Sequence, residues 1–279
     1  MSMKYEKKKN KIIIYDLQDF NVAQILDCGQ IFRYKIEDDL AFVFSKDKRS
    51  EVKTFKDRIE IKTDDVEYFE KFFDLKTDYS AIKERLKADF YLKDAINYGY
   101  GIRILNNDAY EMIVSFIISA NNNIARIKKT IENLCLKFGS NMGDYNAFPT
   151  LIQLKTATVE DFKQAGLGYR AEYLYKTIQN LTEKQIEMLK QKTTQEQFNF
   201  LVSLKGVGEK VAHCIMLFGL GVKDVFPVDT WINKVYNNIN KTFETNRKKI
   251  ALEFIKRYGN FSGYAQQYFF YYFRENKIN

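Results

Sequence analysis

The chain has 279 residues, of which 46% are hydrophobic and two are proline, a composition typical of an ordered globular protein. Its 44 basic and 36 acidic residues give a formal charge of +8, which suits a polyanionic partner. Three scattered cysteines and one histidine exclude a four-cysteine iron–sulfur cluster and a multi-histidine metal centre.

The sequence contains no segment that suits a membrane. No apolar run approaches the roughly 20 residues that a spanning helix needs. The stretch from Met1 to Lys11 lacks the apolar core of a signal peptide. The separate cysteines fit a reducing compartment that keeps thiols free. We therefore expect a cytoplasmic protein without a membrane partner.

The first 63 residues contain short runs of β-branched and aromatic residues, which predict strands of an antiparallel sheet. The pair Asp38-Asp39 and the triplet Lys46-Asp47-Lys48 predict turns between some of these strands. A short helix is expected around Val22 to Leu26. The predicted strands are 12–15, 31–35, 40–44 and 58–62.

From about Val66 onward the apolar residues recur with the 3.6-residue period of amphipathic helices. Thr158 and Asp229 stand where helix N-caps are expected. The chain is therefore predicted to be α+β, with an N-terminal antiparallel β domain, residues 1–80, followed by a larger all-α domain, residues 81–279. Helical stripes occupy 110–117 and 124–134, and further helices are predicted at 159–164, 171–181, 182–191, 195–204, 209–220, 230–238, 247–258 and 264–274.

The most informative segment joins two of these helices through the turn Leu204-Lys205-Gly206-Val207-Gly208. A glycine-containing turn between two helices is typical of a helix-hairpin-helix, so the all-α domain is predicted to contain that motif. Because glycine has no Cβ, the backbone of Gly206, Val207 and Gly208 can approach a DNA phosphate closely. These three residues are the predicted phosphate-binding site.

Two ionisable residues follow this hairpin: Lys210 begins the second helix, and Asp229 comes 19 residues later. Cleavage of an N-glycosidic bond develops positive charge on the sugar, which a carboxylate stabilises while a neutral amine captures C1′. The positive end of the helix dipole favours the free amine of Lys210. Simpler interpretations stay open, in which Lys210 is a phosphate-binding or solvated lysine and Asp229 is an ordinary helix cap.

Four ordered motifs resemble the helix-hairpin-helix/Gly-Pro-Asp superfamily of base-excision DNA glycosylases, in particular its 8-oxoguanine DNA glycosylase branch. The resemblance spans at least Gly29 to Phe270. It implies a bifunctional DNA glycosylase/AP lyase in which Lys210 forms a Schiff base and Asp229 supports departure of the base. The motifs are Cys28-Gly29-Gln30-Ile31-Phe32-Arg33, Phe116-Ile117-Ile118-Ser119-Ala120-Asn121-Asn122-Asn123-Ile124-Ala125-Arg126-Ile127, Gly166-Leu167-Gly168-Tyr169-Arg170-Ala171, and Leu204 to Cys214 followed by Val225-Phe226-Pro227-Val228-Asp229.

The same resemblance implies a pocket for the flipped base. The Gly29 carbonyl would accept the N7 proton that 8-oxoguanine carries and guanine lacks. Cys214 and Phe270 would stack on opposite faces of the base, and Gln266 would read its Watson–Crick edge. Apart from the resemblance, Gly29 reads as a turn glycine, and Cys214 and Phe270 read as core residues.

A flipped base leaves a gap in the duplex that the protein must fill. By resemblance, Asn121 and Tyr169 fill the gap and wedge the strands apart. Arg126 and Arg170 resemble the pair that donates hydrogen bonds to the orphaned cytosine. The simpler interpretation is a polar loop for Asn121 and a surface charge for each arginine.

The resulting hypothesis is a monomeric enzyme, associated with the nucleoid, that excises 8-oxoguanine opposite cytosine from double-stranded DNA and requires no cofactor. The resemblance also implies a structural cation on the carbonyls of Val202, Leu204 and Val207. The chain departs from the family pattern at Lys205, where many relatives have proline, and at Trp231, where eukaryotic members commonly have histidine. Two alternatives stay open: a monofunctional alkyl-base glycosylase, and a non-catalytic helix-hairpin-helix DNA-binding protein.

Overall fold

The computed structural model describes residues 3–276, and within them no helix is long and apolar enough to cross a membrane. An antiparallel sheet precedes a set of helices, so the predicted α+β class is confirmed. The strands are β1 (Tyr5–Lys8), β2 (Lys11–Ile14), β3 (Tyr34–Glu37), β4 (Leu40–Ser45), β5 (Lys48–Thr54) and β6 (Ile59–Thr63). The helices are α1 (Val22–Leu26), α2 (Val66–Phe72), α3 (Tyr79–Leu86), α4 (Phe90–Tyr98), α5 (Ala109–Ser119), α6 (Ile124–Phe138), α7 (Leu151–Lys155), α8 (Val159–Gln164), α9 (Arg170–Asn180), α10 (Glu183–Leu189), α11 (Thr194–Ser203), α12 (Glu209–Gly219), α13 (Thr230–Asn240), α14 (Arg247–Tyr258) and α15 (Ser262–Glu275).

The sheet has the strand order β1-β2-β6-β5-β4-β3, and each neighbouring pair is antiparallel. Side chains of β4 alternate between buried and half-buried positions, which is the two-residue period of a strand with one face on the core. Asp38 and Lys46, both with positive φ, lie in the short connections on either side of β4. The two predicted turns are therefore confirmed.

Three strands differ from the prediction. The sequence pattern does not reveal β1, because it is exposed or half-buried along its whole length. It does not reveal β5 either, because Ser50 and Val52 are the buried residues of that strand and form no apolar run. β3 begins at Tyr34, after the predicted start, because Ile31 and Phe32 pack into two different hydrophobic clusters and the chain passes between them.

The helical predictions are confirmed, with ends that differ by a few residues. α2 begins at Val66, where the sequence period changes. The predicted cap Thr158 accepts the N–H of Asp161 at 3.2 Å, and Asp229 accepts the N–H of Ile232 at 2.9 Å. The sequence pattern does not reveal α7, because a helix of five residues is too short to show an apolar stripe.

The buried side chains form two hydrophobic clusters. One lies between the sheet, α1 and α2, and the other fills the helical region. Arg103 joins three chain segments near these clusters. It is fully buried and donates to the carbonyls of Phe73 at 3.0 Å, Asp19 at 3.0 Å and Thr77 at 3.1 Å. The domain boundary between residues 80 and 81 stays a prediction.

Three helices of the second cluster, α12, α13 and α15, carry the candidate site. α12 packs against α5 and α11, whereas α15 packs against α4 and α13. The start of α12 follows the hairpin turn, and the start of α13 follows the Pro227-Val228-Asp229 segment. The fold therefore gathers residues that lie far apart in the sequence around the N-terminal ends of α12 and α13.

Candidate active site

The hairpin turn between α11 and α12 depends on Gly206. Its φ of +87° lies in the left-handed region, and a Cβ at this position would lie 2.8 Å from the Cβ of Tyr173 on α9. The Val207 N–H closes the turn by donating to the Leu204 carbonyl at 3.1 Å. A side chain at Gly206 would therefore strain the backbone and push the hairpin away from α9.

Gly208, the N-cap of α12, faces open space. It is exposed, its φ is −89°, and no described atom lies within 4 Å of a Cβ built there. As a glycine it offers no side-chain acceptor to the first N–H groups of α12. Free N–H groups at the positive end of a helix bind phosphate oxygens. The geometry of Gly208 is therefore compatible with its predicted role.

Lys210 is the second residue of α12, and its side chain extends toward α5. Its Nζ lies 5.7 Å from the centroid of the Phe116 ring, and Cys214 follows one helical turn later. Lys210 also lines a cavity of about 300 Å³. This cavity is lined by Gly208, Glu209, Lys210, His213, Val228, Arg247, Lys248 and Ala251.

Asp229 caps α13 and interacts with Lys210. Burial raises the pKa of the Asp229 carboxyl above its ordinary value, whereas the hydrogen bond from the Ile232 N–H and the charges of Lys210 and Arg247 act in the opposite direction. Burial is therefore the dominant effect at this carboxyl. The structure places the predicted amine and the predicted carboxylate near enough to act on each other electrostatically.

Two side chains near Lys210, those of Cys214 and His213, are uncharged at neutral pH. Burial raises the pKa of the Cys214 thiol, and the Lys210 ammonium opposes that rise. Burial also lowers the pKa of His213, whose ring lies 5.3 Å from that of Phe198. At neutral pH the thiol is therefore protonated and the imidazole uncharged.

Two of the predicted base-binding residues are in direct contact. Gly29 has a φ of +76°, and a Cβ built there would lie 3.0 Å from Cε1 of the half-buried Phe270. Gln266, one turn before Phe270 on α15, is buried, and its Oε1 accepts a hydrogen bond from Nε2 of Gln267 at 3.0 Å. The structure thus brings the Cys28-Gly29 segment onto the face of α15 that carries Gln266 and Phe270.

Gln30 holds this segment in place, a role that the sequence did not indicate. It is fully buried, its Nε2 donates to the Arg103 carbonyl at 2.7 Å, and its Oε1 accepts the Leu105 N–H at 2.7 Å. These bonds fix the backbone immediately after Gly29. Gln30 belongs to the Cys28 to Arg33 motif and stands directly before the apolar Ile31. That position is the sequence signal that could have drawn attention to it.

A second group of predicted residues meets where the loop after α5 touches the start of α9. Arg170 is buried there, and it donates to the carbonyls of Ala120 and Asn121, at 2.6 Å in each case. A longer bond of 3.4 Å joins it to the Leu167 carbonyl. Asn121 has a φ of +50°, which is uncommon for a residue other than glycine. Arg170 therefore holds the backbone of the Asn121 loop.

Tyr169 and Arg126 are exposed, as is Asn121. Tyr169 is 55% exposed, and its ring lies 5.8 Å from that of Tyr173, the residue that packs against Gly206. Arg126 makes one long side-chain hydrogen bond to a described residue, the Gly166 carbonyl at 3.5 Å. Tyr173 thus links the hairpin to the second group. Its place four residues after Tyr169, on the same helical face, is the sequence signal that could have indicated this contact.

No group of three or more histidine, cysteine or acidic side chains in residues 3–276 could hold a metal ion. The three cysteines are buried and free. The carbonyl of Leu204, one of the three predicted cation ligands with Val202 and Val207, accepts the Val207 N–H at 3.1 Å. The hairpin cation stays a prediction.

Two family models match consecutive parts of the chain. The 8-oxoguanine DNA glycosylase N-terminal domain matches residues 12–113, and the HhH-GPD superfamily base excision DNA repair protein matches residues 114–259. The chain belongs to the 8-oxoguanine DNA glycosylase branch of this superfamily. The family resemblance inferred from the four motifs is therefore confirmed.

Individual members of the family agree with this assignment. The N-glycosylase/DNA lyase OGG1 of Arabidopsis thaliana is 34% identical over 188 residues, which cover 61% of this chain and 51% of that protein. A probable N-glycosylase/DNA lyase of Methanothermobacter thermautotrophicus is 30% identical over 238 residues, 76% of each chain. The chain therefore spans about half the length of the Arabidopsis relative.

A solved structure covers the whole chain. The Clostridium acetobutylicum 8-oxoguanine glycosylase/lyase, in complex with double-stranded DNA containing cytosine opposite 8-oxoguanine, has a TM-score of 0.93. It is 36% identical in sequence, and the match covers 100% of both chains. Similarity at this level extends to the β domain and the helical domain together.

Proposed function

We propose that this protein is a bifunctional DNA glycosylase/AP lyase that excises 8-oxoguanine opposite cytosine. The observation that carries the proposal is the electrostatic interaction between Asp229 and Lys210, a lysine that lines an open cavity at the start of α12. A covalent glycosylase needs an amine and a carboxylate next to a phosphate-binding surface. Membership of the 8-oxoguanine branch supports the choice of substrate.

The proposed reaction begins when the free amine of Lys210 attacks C1′ of the damaged nucleotide. The Nζ–C1′ bond forms as the C1′–N9 bond breaks, and the electron pair of that bond leaves with the base, which takes up a proton. The Asp229 carboxylate stabilises the positive charge on the sugar. After ring opening gives a Schiff base, loss of a C2′ proton expels the 3′ phosphate, and water then releases Lys210.

Asp229 has a second use in this scheme, because the attacking lysine must first lose a proton. A carboxyl group with a raised pKa is a stronger base than an exposed aspartate, and the pKa of Asp229 is raised by burial. Its charge acts on Lys210. We therefore assign Asp229 to accept the Lys210 proton and pass it to the departing base, after which the regenerated carboxylate stabilises the positive charge on the sugar.

We propose that Gly29, Cys214, Gln266 and Phe270 form the base pocket. The geometry supports this in part, since Gly29 and Phe270 are already in contact and Gln266 lies one turn from Phe270. In this pocket the base would lie between Cys214 and the Phe270 ring, with its N7 edge at the Gly29 carbonyl.

On the opposite strand, we propose that Asn121 and Tyr169 occupy the gap left by the flipped base and that Arg126 and Arg170 contact the orphaned cytosine. The exposure of Tyr169 and Arg126 supports direct contact with DNA. Arg170 donates to the carbonyls of Ala120 and Asn121 in this structure. It would have to share or exchange these bonds to reach a base.

The proposed partner is a single DNA duplex, gripped at its backbone by the N–H groups around Gly206, Val207 and Gly208. The charge of +8 supports a polyanionic partner. We propose that the protein acts as a monomer at the nucleoid in the cytoplasm and needs no metal or iron–sulfur cofactor, since the proposed chemistry uses side chains alone.

Borohydride trapping tests the proposal directly, because borohydride reduces a Schiff base to a stable bond. We expect the wild type to form a covalent adduct with a duplex that contains one 8-oxoguanine opposite cytosine, and we expect Lys210→Gln to form none. Lys87→Gln is the control, since Lys87 is half-buried and pairs with Glu84 at 2.9 Å, apart from the residues of the proposed site. An equal yield of adduct from the wild type and Lys210→Gln would contradict the assignment of the nucleophile.

The same assay separates the two alternatives. A monofunctional alkyl-base glycosylase would release alkylated bases without forming an adduct. A non-catalytic DNA-binding protein would bind the duplex and leave both the lesion and the strand intact. Adduct formation on 8-oxoguanine opposite cytosine, lost with Lys210, is the outcome that supports the bifunctional mechanism.

A further inference from the structure

The last turn of α15 is bound to the segment that leads into Gly29. Nη2 of Arg274 donates to the Asp27 carbonyl and lies 3.3 Å from Oδ2 of the same residue. The Tyr34 hydroxyl donates to Oδ1 of Asp27 at 3.2 Å and so holds this carboxylate from the other side. Asp27 ends α1 and lies two residues before Gly29. Arg274 therefore joins α15 to the Gly29 segment.

The same guanidinium contacts Phe270. Arg274 follows Phe270 by four residues on α15, and its Cζ lies 5.3 Å from the centroid of the Phe270 ring, a cation–π distance. On another side, the ring is in contact with Gly29, where a Cβ would lie 3.0 Å from Cε1. Phe270 is thus placed between the Gly29 backbone and the guanidinium that binds Asp27.

Stability alone does not account for this arrangement. The Arg274 side chain is 13% exposed, and its Nη1 is buried without a hydrogen-bond partner among the described residues. A buried unpaired donor lowers stability. The Arg274 guanidinium is bound in this way although its unpaired donor is unfavourable, and it fixes Asp27 and Phe270 relative to each other. We therefore attribute its place to the positioning of the pocket, not to a contribution to the core.

Building on the proposed function, we infer that Arg274 is a positioning residue that sets the spacing between the Gly29 carbonyl and the Phe270 ring through its contacts with Asp27 and Phe270. Recognition of 8-oxoguanine depends on a hydrogen bond to the Gly29 carbonyl while the base stacks on Phe270. Both contacts must form together, so an error in this spacing weakens recognition of the damaged base.

An abasic site provides the discriminating substrate, because it has no base to bind the Gly29 carbonyl or to stack on Phe270. Its cleavage needs DNA binding and Lys210 but not the base pocket. Loss of Arg274 should therefore slow excision of 8-oxoguanine while strand cleavage at an abasic site opposite cytosine continues. Damage to the fold as a whole would slow both reactions equally.

The experiment compares Arg274→Met, Arg274→Lys and Asp27→Asn with the wild type in single-turnover assays on both duplexes. For Arg274→Met we expect excision of 8-oxoguanine to fall by about 10- to 100-fold, the effect of a displacement of about 1 Å, with abasic-site cleavage within about twofold. Arg274→Lys should recover part of the loss, since it restores the charge beside Asp27. Asp27→Asn should show the same selective loss in weaker form.

Arg257→Met is the matched control. Arg257 also pairs with an aspartate, Asp89 at 2.6 Å, and contacts the ring of Tyr258 at 5.5 Å, but it lies on α14 away from Gly29. We expect this variant to behave as the wild type on both duplexes. Equal losses on both duplexes for Arg274→Met and Asp27→Asn, or no loss for either, would overturn the inference. If the wild type itself leaves 8-oxoguanine intact, the proposed function fails instead.

Discussion

The Asp229 carboxylate caps α13 through the Ile232 N–H, at 2.9 Å, and also acts electrostatically on Lys210. These two interactions can be separated by mutation, because asparagine caps a helix as well as aspartate does but carries no charge. The helix cap and the proposed chemistry therefore make different demands on one side chain.

We predict that Asp229→Asn keeps the thermal stability of the wild type but loses most of the excision activity on 8-oxoguanine. Asp229→Ala should lose both activity and about 0.5–2 kcal/mol of unfolding free energy, because it also removes the cap. Urea denaturation and single-turnover excision measure the two effects. Full activity of Asp229→Asn would show that the charge is not needed.

The two hairpin glycines provide a second pair of variants. Gly206→Ala should destabilise the protein by about 1–3 kcal/mol, because its φ is +87° and its Cβ would lie 2.8 Å from Tyr173. Gly208→Ala should change stability by less than about 1 kcal/mol, since its φ is ordinary and the space around it is open.

We nevertheless expect Gly208→Ala to weaken binding to DNA, because the added methyl group would stand where the phosphate approaches the N–H groups of α12. Melting temperature and fluorescence anisotropy with a labelled duplex distinguish stability from binding. If Gly208→Ala binds DNA as tightly as the wild type, the backbone at this position does not contact a phosphate.

Replacement of Arg126 and of Arg170 should affect stability differently, a difference that the sequence does not indicate. Arg126→Ala should leave the melting temperature unchanged and relax the preference for cytosine opposite the lesion, since Arg126 is exposed. Arg170→Ala should in addition cost about 1–3 kcal/mol of stability, because the carbonyls of Ala120 and Asn121 lose hydrogen bonds from a buried guanidinium. Excision assays with each of the four opposite bases test the preference, and an unchanged preference in both variants would contradict the assignment.

Glu111 gives a prediction on the pH dependence of stability. This buried residue of α5 accepts the Lys46 N–H at 2.9 Å, and burial raises its pKa to about 7, although the charge of Arg33 opposes the rise. Asp108 and Glu132 add to the rise. The folded state therefore holds a proton that the unfolded chain releases near pH 4.5, so the contribution of Glu111 to stability is greatest below that pH and is lost as pH rises toward 7.

We predict that Glu111→Gln removes up to about 3 kcal/mol of this loss between pH 4.5 and pH 8, because glutamine is neutral throughout that range. Urea denaturation of wild type and variant at pH 5 and pH 8 provides the measurement. The unfolding free energy of the variant minus that of the wild type should be larger at pH 8 than at pH 5. A difference that does not change with pH would contradict the raised pKa of Glu111.

The sequence indicated those helices and strands whose pattern of side chains lies within the element itself. An apolar stripe or a capping side chain acts within one or two turns, and for this reason the helices from α5 onward, except the short α7, and the caps Thr158 and Asp229 were predictable. β1 and β5 were not, because their place in the sheet depends on their neighbours and not on their own apolar residues. The exact start of β3 depends on packing into two clusters.

The sequence by itself determined the α+β class, the hairpin and the candidate amine and carboxylate, since each of these depends on a motif or a period within a short stretch. The tertiary structure decided which distant residues meet. It placed Gly29 against Phe270, bound Asp27 to Arg274, and buried Arg170 while leaving Arg126 exposed. Contacts between residues far apart in the chain follow from how helices and strands pack, and no local pattern of side chains records that packing.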